Sequence, residues 1–173
     1  MIAVGIDPGL KGAVAVLRGH VVEIYDMPTF SGGKEQNHAA LADLLRSIAG
    51  LHVDGAVLPS LHVGLEKAST RPGQAAQAVL KSGTNYGAIL GVLASLGLEY
   101  SEITPVKWKN VMLAGFADKK DKANSEKRAC QLYPSEASRF RTPRGALLDG
   151  RCEALLIARY TWDTLMARGS AAA

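Results

Sequence analysis

This sequence predicts a single α/β domain with a mixed central sheet flanked by helices, and three observations lead to that class. Three short apolar runs, Ile2 to Ile6, Gly12 to Leu17 and Val21 to Tyr25, follow one another with only tight turns between, as in an antiparallel meander. Two further apolar runs, His62 to Leu65 and Tyr100 to Ile103, are separated by helix-length segments, the spacing expected of parallel strands. The 173 residues show no internal repeat and no domain-sized linker, and that length suits one buried core.

The first strand, Ile2 to Ile6, hands off to Asp7, and Pro8-Gly9 stops it. After the meander, Thr29 to Asn37 reads as a mobile polar loop, with Ser31-Gly32-Gly33-Lys34 at its centre. His38 to Ala49 places Leu41, Leu44, Leu45 and Ile48 at helical spacing, and Gly50 ends that helix. The strand His62 to Leu65 is followed by Glu66, the second lone carboxylate at a strand end. A basic loop containing Arg71, Pro72 and Gly73 leads into a helix from Gln74 to Leu96. That helix carries Gly83, Gly87 and Gly91 at four-residue spacing. Each exposed Gly costs up to about 1 kcal/mol against Ala, so the row suggests either a close backbone approach by another helix or by DNA, or a loosely built helix that starts only near Thr84.

Pro105 opens a helix with Trp108 and Met112, and Asn124 to Leu132 forms the next, ended by Pro134. Ser138 to Arg144 is polar and basic and reads as flexible, whereas Leu147 to Met166 reads as the last helix. The domain spans residues 1 to 168, and 169 to 173 resemble a disordered tail or an expression scar. No apolar run approaches the roughly 18 residues of a membrane span, and no signal-peptide pattern opens the chain. The two cysteines, Cys130 and Cys152, make no disulfide framework, so a reducing cytoplasm is the expected setting.

The net charge of +4 is unevenly placed. Between Thr104 and Arg128, seven basic residues (Lys107, Lys109, Lys119, Lys120, Lys122, Lys127 and Arg128) face three acids, so this window carries all of it. A basic segment on a neutral body suits a polyanionic partner, because Lys and Arg at phosphates release counterions. A solvated helix face accounts for the charge equally well.

Four acids stand out. Asp7 and Glu66 end buried-type strands, where an unpaired carboxylate costs several kcal/mol, on the order of 5. Asp149 and Glu153 open the last helix four residues apart, which puts their Cβ atoms about 5–6 Å apart on one face. The helix dipole explains Asp149 but explains Glu153, a turn further in, less well. Hard oxygen ligands of this kind suit Mg²⁺ or Mn²⁺, and two such ions can drive phosphodiester hydrolysis. No P-loop, zinc pattern or nucleophile elbow points to another chemistry or to a small-molecule cofactor. The histidines His20, His38, His52 and His62 form no ligand cluster.

From Ile2 to about Tyr160 the sequence resembles the RuvC-type Holliday-junction resolvases, nucleases of the RNase H-like fold. The resemblance rests on Gly5-Ile-Asp-Pro-Gly9, Leu65-Glu66, Tyr86-Gly87 with Gly91, Thr104-Pro105 and Glu153-Ala-Leu-Leu-Ile-Ala158. Pro72-Gly73-Gln74, Pro105-Val-Lys-Trp-Lys109, Lys122 with Arg128 and Tyr133-Pro134, and Asp149-Gly-Arg-Cys-Glu-Ala154 resemble its phage and prophage branch.

The resemblance implies a homodimer, in a bacterial or phage-infected cytoplasm, that binds four-way DNA junctions and cuts symmetrically placed strands. It implies Asp7, Glu66, Asp149 and Glu153 as ligands of two Mg²⁺ ions, with Mn²⁺ able to substitute, and Lys122 as a phosphate or transition-state contact. Lys107, Lys109, Lys119, Lys120, Lys127, Arg128 and Arg71 are the expected further DNA contacts, and the glycine row is the expected dimer seam. Two departures stand out. Bacterial members space the final acids three apart, so the division of ions between Asp149 and Glu153 stays open. They also carry an aromatic where this chain has Ser69. A sugar-kinase-like phosphotransferase would need a second similar domain, for which the chain is too short. A junction-binding module without activity, or a nuclease for other branched DNA or RNA–DNA hybrid, keeps the same fold.

Overall fold

In the computed structural model the described residues are 1–50, 60–70 and 73–171. Five strands form one sheet: β1 (Ile2–Asp7), β2 (Ala13–Arg18), β3 (Val21–Asp26), β4 (Leu61–Glu66) and β5 (Glu99–Ile103), in the order β3-β2-β1-β4-β5. β1, β2 and β3 pair antiparallel, while β4 joins β1 in parallel and β5 joins β4 in parallel. The mixed sheet and its helices follow the predicted class.

Alternation along the strands sends side chains to two separate cores. Ile2, Val4, Ile6, Val14, Val16, Val63 and Leu65 pack with α1 (His38–Ala49) and α2 (Ala76–Ser95) on one face. On the other face Ala13, Ala15, Leu17 and Ile103 meet α5 (Asp149–Ala171), α3 (Pro105–Met112), α4 (Lys122–Leu132) and a 3₁₀ helix over Pro134–Phe140. Residues Cys152 to Ala158 are buried without a break, so this part of α5 is covered on all sides.

Local chemistry sets the helix ends. Asn37 caps α1 by accepting from the Ala40 amide, and Gly50 closes it in the left-handed conformation. Asp121 accepts from the Ala123 amide, which starts α4 at Lys122, two residues ahead of the expected Asn124. α2 runs unbroken through all three of its glycines. α5 continues past Arg168, where the sequence suggests a tail, to Ala171.

Two polar segments differ from expectation. Ser138 to Arg144 is held rather than flexible: Phe140 is fully buried, and Arg139 donates to Glu136 and to the Ile24 carbonyl. Thr29 to Asn37 is closed by a Thr29–Gln36 bridge and anchored by a buried Gln36, so an apolar or amide anchor wins over polar composition in both. Among the described residues, no helix is long and apolar enough to cross a membrane.

Candidate active site

The two central strands carry the same pattern, Val4-Gly-Ile-Asp7 in β1 and Val63-Gly-Leu-Glu66 in β4. Their parallel register sets Gly5 beside Gly64 and Ile6 beside Leu65, so the next step brings Asp7 beside Glu66. Ile6 and Leu65 point into the α1/α2 core, so Gly5 and Gly64, and with them the two acids, belong to the α5 face.

The glycines let α5 descend to the backbone of the sheet. A Cβ on Gly5 would stand 2.2 Å from the Ala154 carbonyl oxygen and 2.3 Å from the Ala158 nitrogen. One on Gly64 would stand 2.0 Å from Thr161 Oγ1. Gly150 repeats the device: a Cβ there would meet the Lys11 carbonyl at 2.2 Å, which seats the first turn of α5 on the turn after Asp7. Arg151 fixes the same turn from the side, donating to both Asp26 oxygens at 2.6 and 2.7 Å and to the Arg139 carbonyl. α5 thus lowers Glu153 onto the end of β1 and β4.

Asp7, Glu66 and Glu153 line one cleft of about 220 Å³, together with Lys109, Ser69 and Tyr86. Burial pushes the Asp7 carboxyl from its ordinary 3.8 up to about 7, against the pull of the Gly9 amide, which donates to Oδ1 at 3.0 Å. The charges of Glu66, Glu153 and Asp149 add to the rise, so all four acids share one electrostatic field. Glu66 is raised as well, by burial first, while Trp108 Nε1 donating to Oε1 at 2.9 Å opposes the shift.

Each of the other two acids has a lysine. Lys109 Nζ donates to Glu153 Oε1 at 2.7 Å, and Ser125 Oγ lies 3.4 Å from the same oxygen. Lys122 pairs with Asp149, and this bond raises the pKa of the Lys122 amine. Asp149 does not line the cleft, so the two acids of the last helix part company: Glu153 turns in, Asp149 to its rim. With Glu66, Glu153 and Asp149 directed to Trp108, Lys109 and Lys122, no three His, Cys, Asp or Glu side chains among the described residues converge on one ion as they stand. The donor set nevertheless fits a divalent cation. It is all hard oxygen, and Asp7, the most strongly shifted of the acids, is held by an amide and, among the described residues, by no cation.

The basic window divides. Lys109 and Lys122 hold acids, and Lys119 donates to Asn110. Lys120 and Lys127 are exposed. Lys107 lines a separate pocket with His62, Ser101 and Arg168. Arg128 turns inward, donating to the Ala114 carbonyl at 2.6 Å and lying over the Phe116 ring. Arg71 lies outside the described residues, as does His52. His62 bonds Ser101, His38 bonds Gln36 and His20 lies in a pocket with Tyr133 and Trp162; none of the three lines the acidic cleft.

Three site residues escape the sequence reading. Gln36, 4% exposed, donates to the carbonyls of Pro8 at 2.7 Å and Gly9 at 3.2 Å and so clamps the turn that carries Asp7. Arg151 and Trp108 act from α5 and α3. The repeated Val-Gly-apolar-acid pattern is the one sequence signal that would have pointed to the close packing beneath the acids.

No family model and no curated protein matches the chain. Among solved structures, Thermus thermophilus RuvC is similar at 18% identity, over 95% of this chain and 96% of that one, with a TM-score of 0.56. T. thermophilus RuvC in complex with a Holliday junction substrate is similar at 18% identity, over 96% of each chain, with a TM-score of 0.55. The chain therefore has the RuvC fold, a mixed five-stranded sheet of the RNase H-like type.

Proposed function

We propose that this protein is a RuvC-type endonuclease that hydrolyses phosphodiesters of branched DNA, four-way junctions above all, with divalent metal. The observation that carries the reading is the gathering of Asp7, Glu66 and Glu153, from three separate elements, in one cleft, with Asp149 within the same electrostatic field. The likeness to RuvC over nearly the whole chain supports junction DNA as the substrate class.

In this reading Asp7, Glu66, Glu153 and Asp149 hold two Mg²⁺ ions, which Mn²⁺ can replace. Bound there, the ions supply an activated water and stabilise the leaving oxygen. The protein's own part is orientation. The Gly9 amide and Gln36 hold Asp7 through its turn, and Trp108 holds Glu66. Lys109 and Lys122 balance Glu153 and Asp149 in the metal-free protein, and Lys122, two-thirds exposed at the rim, is placed to take a phosphate oxygen. Lys120 and Lys127 extend that exposed basic surface.

Two symmetric cuts call for two sites, which a homodimer supplies. The exposed first half of α2, with Leu80 70% exposed and Gly83 and Gly87 facing open space, supports this helix as the seam. The test presents a labelled four-way junction, a flap, a duplex and an RNA–DNA hybrid with Mg²⁺ and with Mn²⁺, and Asp7→Asn protein as control. Paired nicks in the junction alone are expected. Preferential cutting of the hybrid would reassign the substrate, and cutting by Asp7→Asn protein would overturn the site.

A further inference from the structure

Trp108 is fully buried, and a buried indole N–H must find an acceptor. It finds Glu66 Oε1 at 2.9 Å, across from α3 to the end of β4. Its neighbour Lys109 reaches Glu153 on α5 and lies 5.0 Å from the centre of the Trp108 ring. Two consecutive residues of α3 therefore grip two acids of the cleft, and they do so differently. A lysine neutralises its carboxylate and competes with any cation for it. An indole N–H is a neutral donor: it orients a carboxylate and leaves the negative charge in place.

We infer that Trp108 is the positioning residue for Glu66, holding Oε1 so that Oε2 is presented to a divalent cation in the cleft. The inference rests on the metal-dependent reading of the site. Among the described residues no donor reaches Oε2, and Glu66 lines the cleft with Asp7 and Glu153. Partners of this kind fix ligand orientation, and their loss typically weakens metal binding by about 10–100-fold. The rigid ring suits the task, because its 42-residue reach in sequence is fixed by core packing and not by a flexible chain.

The test uses the full chain and Mn²⁺ alone, with free Mn²⁺ followed by electron paramagnetic resonance. Trp108→Phe keeps an aromatic ring in the core and removes the donor, at the cost of a small cavity. It is expected to stay folded with a lowered melting point and to bind Mn²⁺ about 10–100-fold more weakly, while its metal-free junction binding stays that of the parent. Parental Mn²⁺ affinity would reduce Trp108 to a core residue and overturn the inference. A parent that binds no Mn²⁺, or binds it equally after Asp7→Asn, would overturn the metal-dependent reading itself, and the inference with it.

Should Trp108→Phe not fold, the chain's two tryptophans give a second measurement. In Trp162→Phe protein, Trp108 is the only indole. Saturating Mg²⁺ is then expected to shift its emission, and Glu66→Gln to abolish the shift. An emission indifferent to Mg²⁺ in protein that binds Mn²⁺ would refute the link.

Discussion

Two helices cover opposite faces of the same sheet, and their glycine contacts are opposites. α5 rests on glycines that belong to the strands, with Gly5 and Gly64 so close beneath it that any side chain there would collide with the helix. α2 carries its own glycines, and among the described residues a Cβ at Gly83, Gly87 or Gly91 would meet nothing within 4 Å. α5 is buried along Cys152 to Ala158, whereas α2 buries only Ile89 and Leu93. A glycine row by itself therefore says only that side chains are missing. Whether a neighbour fills the gap is decided by the partner surface, and here the acids lie beside the glycines that are filled.

The harshest way to probe the α5 side is Asp7→Asn. Cleavage should disappear, and the metal-free protein should become more stable at alkaline pH. The sign follows from the two ends of the titration: folded Asp7 keeps its proton up to about 7, while the unfolded chain loses it near 3.8. Wild type therefore loses stability as pH rises through that window, by up to about 4 kcal/mol, and the neutral Asn does not. Thermal melts should show a gain for Asp7→Asn at pH 8 and none at pH 4. A gain that is independent of pH would mean that Asp7 is not the strained charge.

Gly5→Ala comes next. Its methyl would press on helix backbone, which cannot turn aside, so a loss of about 3 kcal/mol is expected by denaturant unfolding. A neutral result would remove the basis of the contrast. Gln36→Ala, which abandons the Pro8 and Gly9 carbonyls, should cost about 1–3 kcal/mol and slow single-turnover cleavage while leaving junction binding unchanged. Smallest in its effect on the fold is Gly87→Leu, which should change unfolding of the chain by less than about 1 kcal/mol, because the position faces open space. Its expected signature is in assembly: sedimentation should shift from dimer to folded monomer. Unfolding like that of Gly5→Ala would show that α2 is covered after all.

The four acids were legible because the strand pattern makes Asp7 and Glu66 anomalous and the helix period makes Asp149 and Glu153 neighbours. Their present partners were not. Trp108 reaches Glu66 across 42 positions, Lys109 reaches Glu153 across 44 and Arg151 reaches Asp26 across 125, distances over which no local periodicity operates. The split between Glu153 and Asp149 was equally hidden, since helical spacing places both on one face while tertiary contacts, Lys109 with Glu153 and Lys122 with Asp149, hold them apart. Arg128 illustrates a charge run read as surface in which one member is drawn under its own loop by a carbonyl and a ring. Composition misled twice, at Ser138 to Arg144 and at Thr29 to Asn37, because one buried Phe or Gln outweighs several polar neighbours.

The contact of α5 with Gly5 acts as a thickness gauge. Side chains can flip, and a core built of them can breathe, but a carbonyl resting against a neighbouring Cα has no alternative rotamer. The gap between the blade that carries Glu153 and the anvil that carries Asp7 is thus set by main chain at Gly5, while over Gly64 the Thr161 side chain fills it. Swaps of Leu for Ile or Met elsewhere in this core can be absorbed without resetting that gap, so the jaw keeps its calibration while the material around it changes.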